Sequence, residues 1–149
     1  MIRIVSHAYI NKPVEDVFAF VADYRKDRQW RADVLSIRYL DESNTRLGSR
    51  AVESLRALGR TLVTESQCVE FEPGRKIVSE SVSGPIPLVV TRLVEPANGG
   101  TRLTYRLEGD ERGVLLYRLL RPLLLPWYQR TVDGYLQMLK RALEAPPRD

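Results

Sequence analysis

The sequence contains very few of the residues that bind transition metals or form disulfides. Its 149 residues include one cysteine, Cys68, and one histidine, His7. A single cysteine cannot form an internal disulfide, and these two residues do not supply the Cys/His set of a structural zinc site. We therefore expect no metal site, no redox chemistry and no cofactor. His7 falls on the polar side of its predicted strand, which indicates an exposed, structural histidine, and Cys68 is expected to be inert.

Long apolar runs are also absent. No stretch approaches the roughly 18 consecutive apolar residues of a membrane span. The first residues, MIRIVSHAYINKP, lack the uninterrupted apolar core of a signal peptide. The most apolar stretch, GVLLYRLLRPLLLPWY, is divided by two prolines and two arginines. These features predict a cytoplasmic protein.

Charge of one sign is not concentrated in any part of the chain. Lys and Arg number 23 and Asp and Glu number 19, so the net charge is +4. Acidic residues are interleaved with the basic ones, and no nucleic-acid reading motif is present, so we expect no nucleic-acid partner. Apolar residues at 44% and charged residues at 28% are ordinary globular values. We expect one domain over residues 1–149.

Residue spacing predicts a strand that is followed at once by a short helix. Apolar residues alternate with polar ones from Ile2 to Asn11, which is the period of a half-buried strand. Pro13 fits the first turn of a helix, and apolar residues then recur at helical spacing to about Asp23. The next segment, YRKDRQW, predicts another helical turn that ends in Trp30.

Six further strands and a long helix are predicted after Trp30. Segments with period-2 alternation are separated by turn sequences such as EPG and EPANGG, and such short connections favour an antiparallel meander. Pro122 and Pro126 each remove a backbone donor, so the long amphipathic helix is expected to run from about Pro126 to Ala145. The predicted strands are Val34–Asp41, Leu47–Leu58, Arg60–Phe71, Lys76–Ser83, Leu88–Glu95 and Thr101–Arg112.

This order of elements carries the motifs INKPVEDVFAFVAD, LGSR, EPGRK, GGTRLTYRLE and LQMLKRALE. With them, nearly the whole chain resembles the START-like helix-grip (SRPBCC) superfamily, of the polyketide cyclase/dehydrase and lipid-transport type. The resemblance implies an α+β fold in which a curved seven-stranded antiparallel sheet wraps around a long C-terminal helix, with two short helices after strand 1. It also implies a cavity between sheet and helix, and a domain that binds a small hydrophobic or aromatic molecule such as a lipid, quinone or polyketide.

The candidate ligand-binding residues are large side chains that this fold would turn toward the cavity. In the superfamily a tryptophan often lies near the cavity mouth at the position of Trp30. An aromatic stripe on the C-terminal helix is expected over the sheet, and two tyrosines share the inward phase of their strands with leucines. Packing in the core is the alternative role for each. The expected set is Trp30, Leu35, Tyr39, Leu103, Tyr105, Trp127, Tyr128, Thr131 and Tyr135.

Two other functions remain open. Aromatase/cyclases of this superfamily steer enolisation, ring closure and dehydration with polar residues, prominently Arg and Tyr, and the candidate catalytic pool here is Tyr39, Glu53, Glu65, Arg92 and Tyr105. No catalytic arginine can be carried over to a position of this chain. A membrane-associated lipid or quinone carrier is the third hypothesis, although GVLLYRLLRPLLLPWY is expected to pack over the cavity mouth instead of contacting a membrane. The oligomeric state is expected to be monomer or homodimer.

Overall fold

The structure of the protein, a computed structural model, describes residues 1–41, 44–57, 59–84 and 86–145. The described chain forms seven strands, two α-helices and one 3-10 helix. The strands are β1 (Ile2–Ile10), β2 (Val34–Tyr39), β3 (Arg50–Ala57), β4 (Arg60–Glu72), β5 (Lys76–Ser83), β6 (Leu88–Ala97) and β7 (Gly100–Gly109). The helices are α1 (Val14–Ala22), the 3-10 helix (Tyr24–Gln29) and α2 (Leu115–Glu144).

The seven strands form one curved antiparallel sheet in the order β1-β7-β6-β5-β4-β3-β2. Strands β2 to β7 each pair with the next strand along the chain and so form a meander, and β1 closes the far side by pairing with β7. The segment from α1 through the 3-10 helix therefore connects one edge of the sheet to the other. The predicted helix-grip α+β fold is confirmed.

The C-terminal half of α2 forms the core with β1 and β7. Val132, Leu136 and Leu139 recur at helical spacing and are almost fully buried, together with inward residues of β1 and β7 such as Ile4 and Leu103. In β1 these positions alternate with outward residues, of which Arg3, His7 and Tyr9 are exposed. Burial of this face on one helix and two strands fixes α2 across the sheet.

Polar contacts set the position of α2 along β1. The hydroxyl of Ser6 donates to Oδ1 of Asp133 at 2.5 Å, and Nε2 of Gln129 donates to the carbonyl of Val5 at 3.1 Å. Near the N-terminus of the chain, Arg121 donates to the carbonyl of Met1 at 3.0 Å. The N-terminal half of α2 therefore lies beside the first residues of β1.

The N-terminal boundary of α2 differs from the sequence-based prediction. The helix begins at Leu115 and continues through Pro122 and Pro126, where the sequence predicts a break. The two prolines remove the donors for the carbonyls of Arg118 and Pro122, but these residues are exposed, so water can satisfy the carbonyls. Among the described residues, no helix is both long and apolar enough to cross a bilayer.

The strand boundaries agree with the prediction to within a few residues at most ends. Strand β3 begins at Arg50, three residues later than expected, and its predicted end at Leu58 lies outside the described residues. Strand β7 ends at Gly109, earlier than the predicted Arg112. The segment YRKDRQW forms the predicted helical turn, as the 3-10 helix.

Candidate functional site

A cavity of about 160 Å³ lies between the sheet and α2. It exists because β3, β4 and β5 turn small residues inward, including Ala51, Ser66 and Ser79, which leave the space beneath α2 unfilled. From the opposite side, Tyr128 and Val132 of α2 close over this space. The cavity is therefore a consequence of side-chain size on three neighbouring strands.

One end of the cavity is apolar. Ile2 and Leu88 both lie beside Gly109, at the end of β7, and both line the cavity. The N-terminal half of α2 lies at the same end and adds Tyr117 and Trp127 to the wall. We call these four lining residues, Ile2, Leu88, Tyr117 and Trp127, the apolar end.

The other end of the cavity contains a charged cluster, which we define as Asp27, Arg31, Glu53 and Arg92. Asp27 is fully buried, and both of its carboxylate oxygens accept hydrogen bonds from Arg92, at 2.9 and 2.6 Å. Arg31 donates from Nη1 to Asp27 at 3.1 Å and to Glu53 at 2.9 Å, and from Nη2 to Glu53 at 3.2 Å. The 3-10 helix, β3 and β6 are joined through these bonds.

Both arginines of the charged cluster remain positively charged despite their burial. Burial opposes the charge of Arg92, but Asp27 more than offsets this and raises the pKa of Arg92 above its ordinary value. Burial likewise opposes the charge of Arg31, and nearby Tyr105, Glu53 and Asp27 raise the pKa of that group. With two guanidinium groups and two carboxylates, the cluster has no net formal charge.

Aromatic rings surround the Arg92 guanidinium. Its central carbon lies 4.7 Å from the ring centre of Tyr24, 5.0 Å from that of Trp30 and 5.9 Å from that of Tyr105. These are cation–π distances, and they are most favourable where water is excluded. The rings and Asp27 together fix the orientation of Arg92.

Three tyrosines bring hydroxyl groups to the charged end. Burial raises the pKa of Tyr105, which lines the cavity and makes no hydrogen bond among the described residues. Tyr135 donates to Oδ2 of Asp33, and burial raises its pKa as well. The hydroxyl of Tyr24 lies 2.6 Å from Oγ of Ser79, and burial raises the pKa of Tyr24 to about 12. All three phenols are therefore protonated at neutral pH and can donate to an oxygen atom.

Several residues predicted from the sequence do line the cavity. Some belong to the expected ligand-binding set, others to the expected catalytic pool, and Tyr105 to both; they come from β3, β6, β7 and α2. The structure brings their side chains together from positions far apart in the sequence. These residues are Glu53, Arg92, Tyr105, Trp127, Tyr128 and Tyr135.

Two predicted ligand-binding residues lie in the core instead of the cavity wall. Trp30 is 1% exposed and packs edge-on against Tyr105 and Tyr135, with ring centres 5.9 and 6.2 Å apart. Leu103 is completely buried in the same core. Trp30 thus supports two tyrosines of the cavity wall from behind, and this corrects its expected place at the cavity mouth.

Leu35 and Glu65 point away from the cavity. A β-bulge between Val34 and Ser36 turns Val34 inward and leaves Leu35 exposed, so the simple alternation that placed Leu35 inside is interrupted. Glu65 lies on the face of β4 opposite the one that lines the cavity. The placement of Leu35 corrects the predicted strand phase, and that of Glu65 removes it from the candidate catalytic pool.

Tyr39 and Thr131 are engaged by neighbouring groups and do not line the cavity. The hydroxyl of Tyr39 lies 2.7 Å from Oγ1 of Thr45 and accepts a hydrogen bond from the backbone N–H of Tyr24 at 2.9 Å. Thr131 donates to the carbonyl of Trp127, one turn earlier in α2, at 3.0 Å. Their hydrogen bonds are structural.

The histidine and the cysteine take no part in the site. His7 is exposed on the outer face of the sheet, where Nδ1 lies 2.9 Å from Oγ1 of Thr104. Cys68 is buried, and burial raises the pKa of its thiol. Within the described ranges, no three His, Cys, Asp or Glu side chains come together as a metal site would require.

The sequence reasoning missed Asp27, Arg31 and Asp33. All three fall in or just after the segment YRKDRQW, which was predicted as a helical turn and given no functional residue. Asp27 and Arg31 are one helical turn apart, and aromatic residues at Tyr24 and Trp30 lie close to them in the sequence. That spacing of opposite charges was the available signal for an ion pair between Asp27 and Arg31.

Comparison with known proteins identifies a family and several similar folds. The profile of the family described as polyketide cyclase / dehydrase and lipid transport matches residues 1–144. The protein TTHA0849 from Thermus thermophilus is 20% identical, with a TM-score of 0.83 over 96% of this chain and 97% of that one. No curated protein matches the sequence.

Two further structures show how widely this fold is used. The di-domain ARO/CYC protein StfQ, from the steffimycin biosynthetic pathway, is 17% identical, with a TM-score of 0.78 over 96% of this chain and 51% of that one. A major latex-like protein from Panax ginseng is 8% identical, with a TM-score of 0.72 over 95% of this chain and 97% of that one. At such identities the likeness establishes the fold alone.

Proposed function

Because the chain belongs to the polyketide cyclase / dehydrase and lipid transport family, we propose that it binds a small, mainly apolar molecule between the sheet and α2. The observation that carries the proposal is the unfilled cavity of about 160 Å³. Protein interiors are otherwise packed as densely as organic crystals, so a space of this size is unusual in a core. An engineered apolar cavity of roughly 150 Å³ holds one benzene molecule. A ligand of about one ring is therefore the size that fits this volume.

The two ends of the cavity indicate how such a ligand would be oriented. The apolar end would contact rings or alkyl groups, because burial of apolar surface is favourable without regard to direction. At the charged end, the Tyr105 hydroxyl has no partner among the described residues, and Nε of Arg31 is a buried donor without one. Buried polar groups normally form hydrogen bonds. The ligand would thus present a carbonyl or hydroxyl oxygen toward Tyr105.

Ligand binding can be tested with a pair of variants on one strand. Val90 lines the cavity, whereas Val89 is its neighbour on the opposite face of β6. We expect small aromatic ketones and phenols to raise the melting temperature of the wild type, because a ligand that binds only the folded state stabilises it. Val90→Phe should fill the cavity and abolish this shift, whereas Val89→Phe should retain it.

A second test looks for the ligand that the protein binds in its own host. Native mass spectrometry of protein purified from that host should show a mass above that of the chain, and Val90→Phe should lack it. A broad ligand screen without any thermal shift, or a shift that Val90→Phe leaves intact, would contradict binding in this cavity.

A polyketide cyclase or dehydratase is the second candidate function. The observation that favours it is the convergence of Arg31, Glu53 and Tyr105 at the charged end of the cavity. Positioned donors of this kind can stabilise an enolate oxygen, and a carboxylate can accept a proton. Incubation of the protein with a linear poly-β-ketone should then give a cyclised product with the mass of one water less. A substrate that binds and is recovered unchanged would exclude this activity and leave the binding function intact.

A further inference from the structure

The N-terminal half of α2 presents an apolar surface that the described residues leave open to solvent. We define the leucine face as Leu115, Leu116, Leu119, Leu123 and Trp127. The four leucines are between 63% and 74% exposed, and Trp127 is 40% exposed. The sequence predicts that these leucines pack over the cavity mouth, but the cavity-facing side of this segment carries Tyr117 and Tyr128 instead.

The leucine face forms a stripe along the helix. Leu116, Leu119, Leu123 and Trp127 follow each other at spacings of three and four residues, so they share one side of α2. Folded proteins rarely expose a contiguous apolar patch of this kind without a partner. This stripe therefore indicates a surface that binds another molecule.

The segment that bears the leucine face is purely basic. Between Arg112 and Val132 the sequence contains no Asp or Glu. Arg130 continues the stripe by three residues beyond Trp127, and Arg118 lies within the same half of the helix. Both arginines are exposed, and no ion pair involves either of them in the described part of the chain. The charge that complements this surface is negative.

We propose that the leucine face docks on the surface of an anionic membrane. In this arrangement the leucines and Trp127 enter the boundary between headgroups and acyl chains, and Arg118 and Arg130 lie at the level of the lipid phosphates. An amphipathic helix with Leu and Trp on one side and arginines beside them is the type of helix that binds in the plane of a bilayer. Anionic lipids attract such basic groups over about a Debye length.

The same charges argue against a second copy of the chain as the occupant. In a symmetric dimer the same surface is used by both subunits. Two leucine faces packed together would place side by side the basic segments of both copies, which contain no Asp or Glu between Arg112 and Val132. Like charges placed opposite each other at an interface are unfavourable. An anionic bilayer satisfies both the leucines and the arginines.

Docking would also place the membrane beside the apolar end of the cavity. Trp127 belongs to the leucine face and to the cavity wall, and Tyr117 and Tyr128 lie on the adjoining side of the same helix. An apolar ligand could then pass between bilayer and cavity along α2. This last step rests on the proposed function, whereas docking itself does not.

Vesicle flotation tests the proposal directly. We expect the wild type to float with vesicles of equimolar phosphatidylcholine and phosphatidylglycerol, and to float much less with phosphatidylcholine alone or at high salt. The triple variant Leu116→Gln/Leu119→Gln/Leu123→Gln should lower the partition coefficient by at least about tenfold, because three exposed apolar side chains are lost. These residues do not line the cavity, so small aromatic ligands should still raise the melting temperature of the triple variant.

Two further variants test whether the effect is specific to the leucine face and whether it depends on the arginines. Leu47→Gln/Val63→Gln/Val82→Gln removes three exposed apolar side chains elsewhere on the molecule and should float like the wild type. Arg118→Gln/Arg130→Gln should weaken flotation with anionic vesicles and leave flotation with phosphatidylcholine vesicles unchanged. The proposal is overturned if the wild type does not float with anionic vesicles, or if the leucine variant floats equally well. It is also overturned if sedimentation shows a dimer that the leucine variant converts to a monomer.

Discussion

At one end of the cavity four charged side chains bind each other below the surface, whereas at the other end α2 directs leucines toward solvent. Each end reverses the usual distribution of residues in a folded protein, in which charges are exposed and large apolar groups are buried. Asp27 is fully buried, while Leu123 is 74% exposed. Folding stability alone does not favour either arrangement. In the two proposals above, the charged end faces a ligand and the leucine face contacts a membrane.

The charged cluster illustrates why burial of ions is not a general source of stability. Removing two ion pairs from water costs several kcal/mol per ion, and apolar residues of similar size often stabilise a core equally well. What the cluster does provide is position. Arg92 holds Asp27 of the 3-10 helix, and Asp27 in turn holds Arg31, which reaches Glu53 on β3. These bonds fix the donors at the cavity wall.

The largest effect is expected when the centre of the charged cluster is neutralised. Asp27→Asn keeps the shape of the side chain but leaves the buried Arg92 without an anionic partner, while Arg31 retains the carboxylate of Glu53. We expect the free energy of unfolding to fall by about 3–5 kcal/mol, as is typical when one partner of a buried ion pair is lost. Urea unfolding followed by circular dichroism measures this change.

Asp16→Asn is the matched control for this experiment. Asp16 is an exposed aspartate on α1, in the helix that precedes the 3-10 helix. Its substitution should change the free energy of unfolding by less than about 0.5 kcal/mol. Similar losses for both variants would show that burial of Asp27 does not dominate its contribution.

An intermediate effect is expected from Tyr24 at high pH. Burial raises the pKa of Tyr24 from the ordinary 10.0 to about 12 in the folded protein. The unfolded chain releases this proton near pH 10, whereas the folded protein retains it until about pH 12, so the folded state is favoured below pH 10 and loses this advantage as pH rises. A pKa difference of this size corresponds to about 3 kcal/mol.

Tyr24→Phe should therefore flatten the alkaline decline in stability. The variant starts lower, because it loses the hydrogen bond to Ser79, worth about 1 kcal/mol. Between about pH 10 and pH 12, however, it should lose up to about 3 kcal/mol less than the wild type. Urea unfolding at a series of pH values provides the comparison. Two curves that remain parallel across this range would show that Tyr24 does not titrate differently in the folded protein.

The order of the strands could be predicted because strand alternation is a local property, whereas the curved sheet around α2 was implied by the resemblance to a known superfamily. Inward positions of β7, such as Leu103 and Tyr105, follow directly from period-2 spacing and are buried as predicted. The phase was misplaced only where the backbone departs from this period. At the bulge in β2 a single extra residue exchanges inside and outside, which is why Leu35 was assigned to the wrong face.

The site was harder to predict because its contacts are far apart in the sequence. Asp27 and Arg92 are separated by 65 residues, and nothing in the charge pattern of YRKDRQW indicates which of its ions is buried. The start of α2 was misjudged for a related reason. Proline rules describe the loss of one backbone donor, but they do not say whether water can satisfy the carbonyl that is left.

The smallest effect is expected on the leucine face, where Leu123→Ala should alter the free energy of unfolding by less than about 0.5 kcal/mol. The same substitution in the buried half of the same helix, Leu136→Ala, should cost about 2–5 kcal/mol because it leaves a cavity in the core. Thermal and urea unfolding of both variants make the comparison within one helix and one residue type. A loss of about 2 kcal/mol or more for Leu123→Ala would mean that this side chain is buried in solution. The leucine face would then be covered by protein, and the contrast between the two ends of the cavity would disappear.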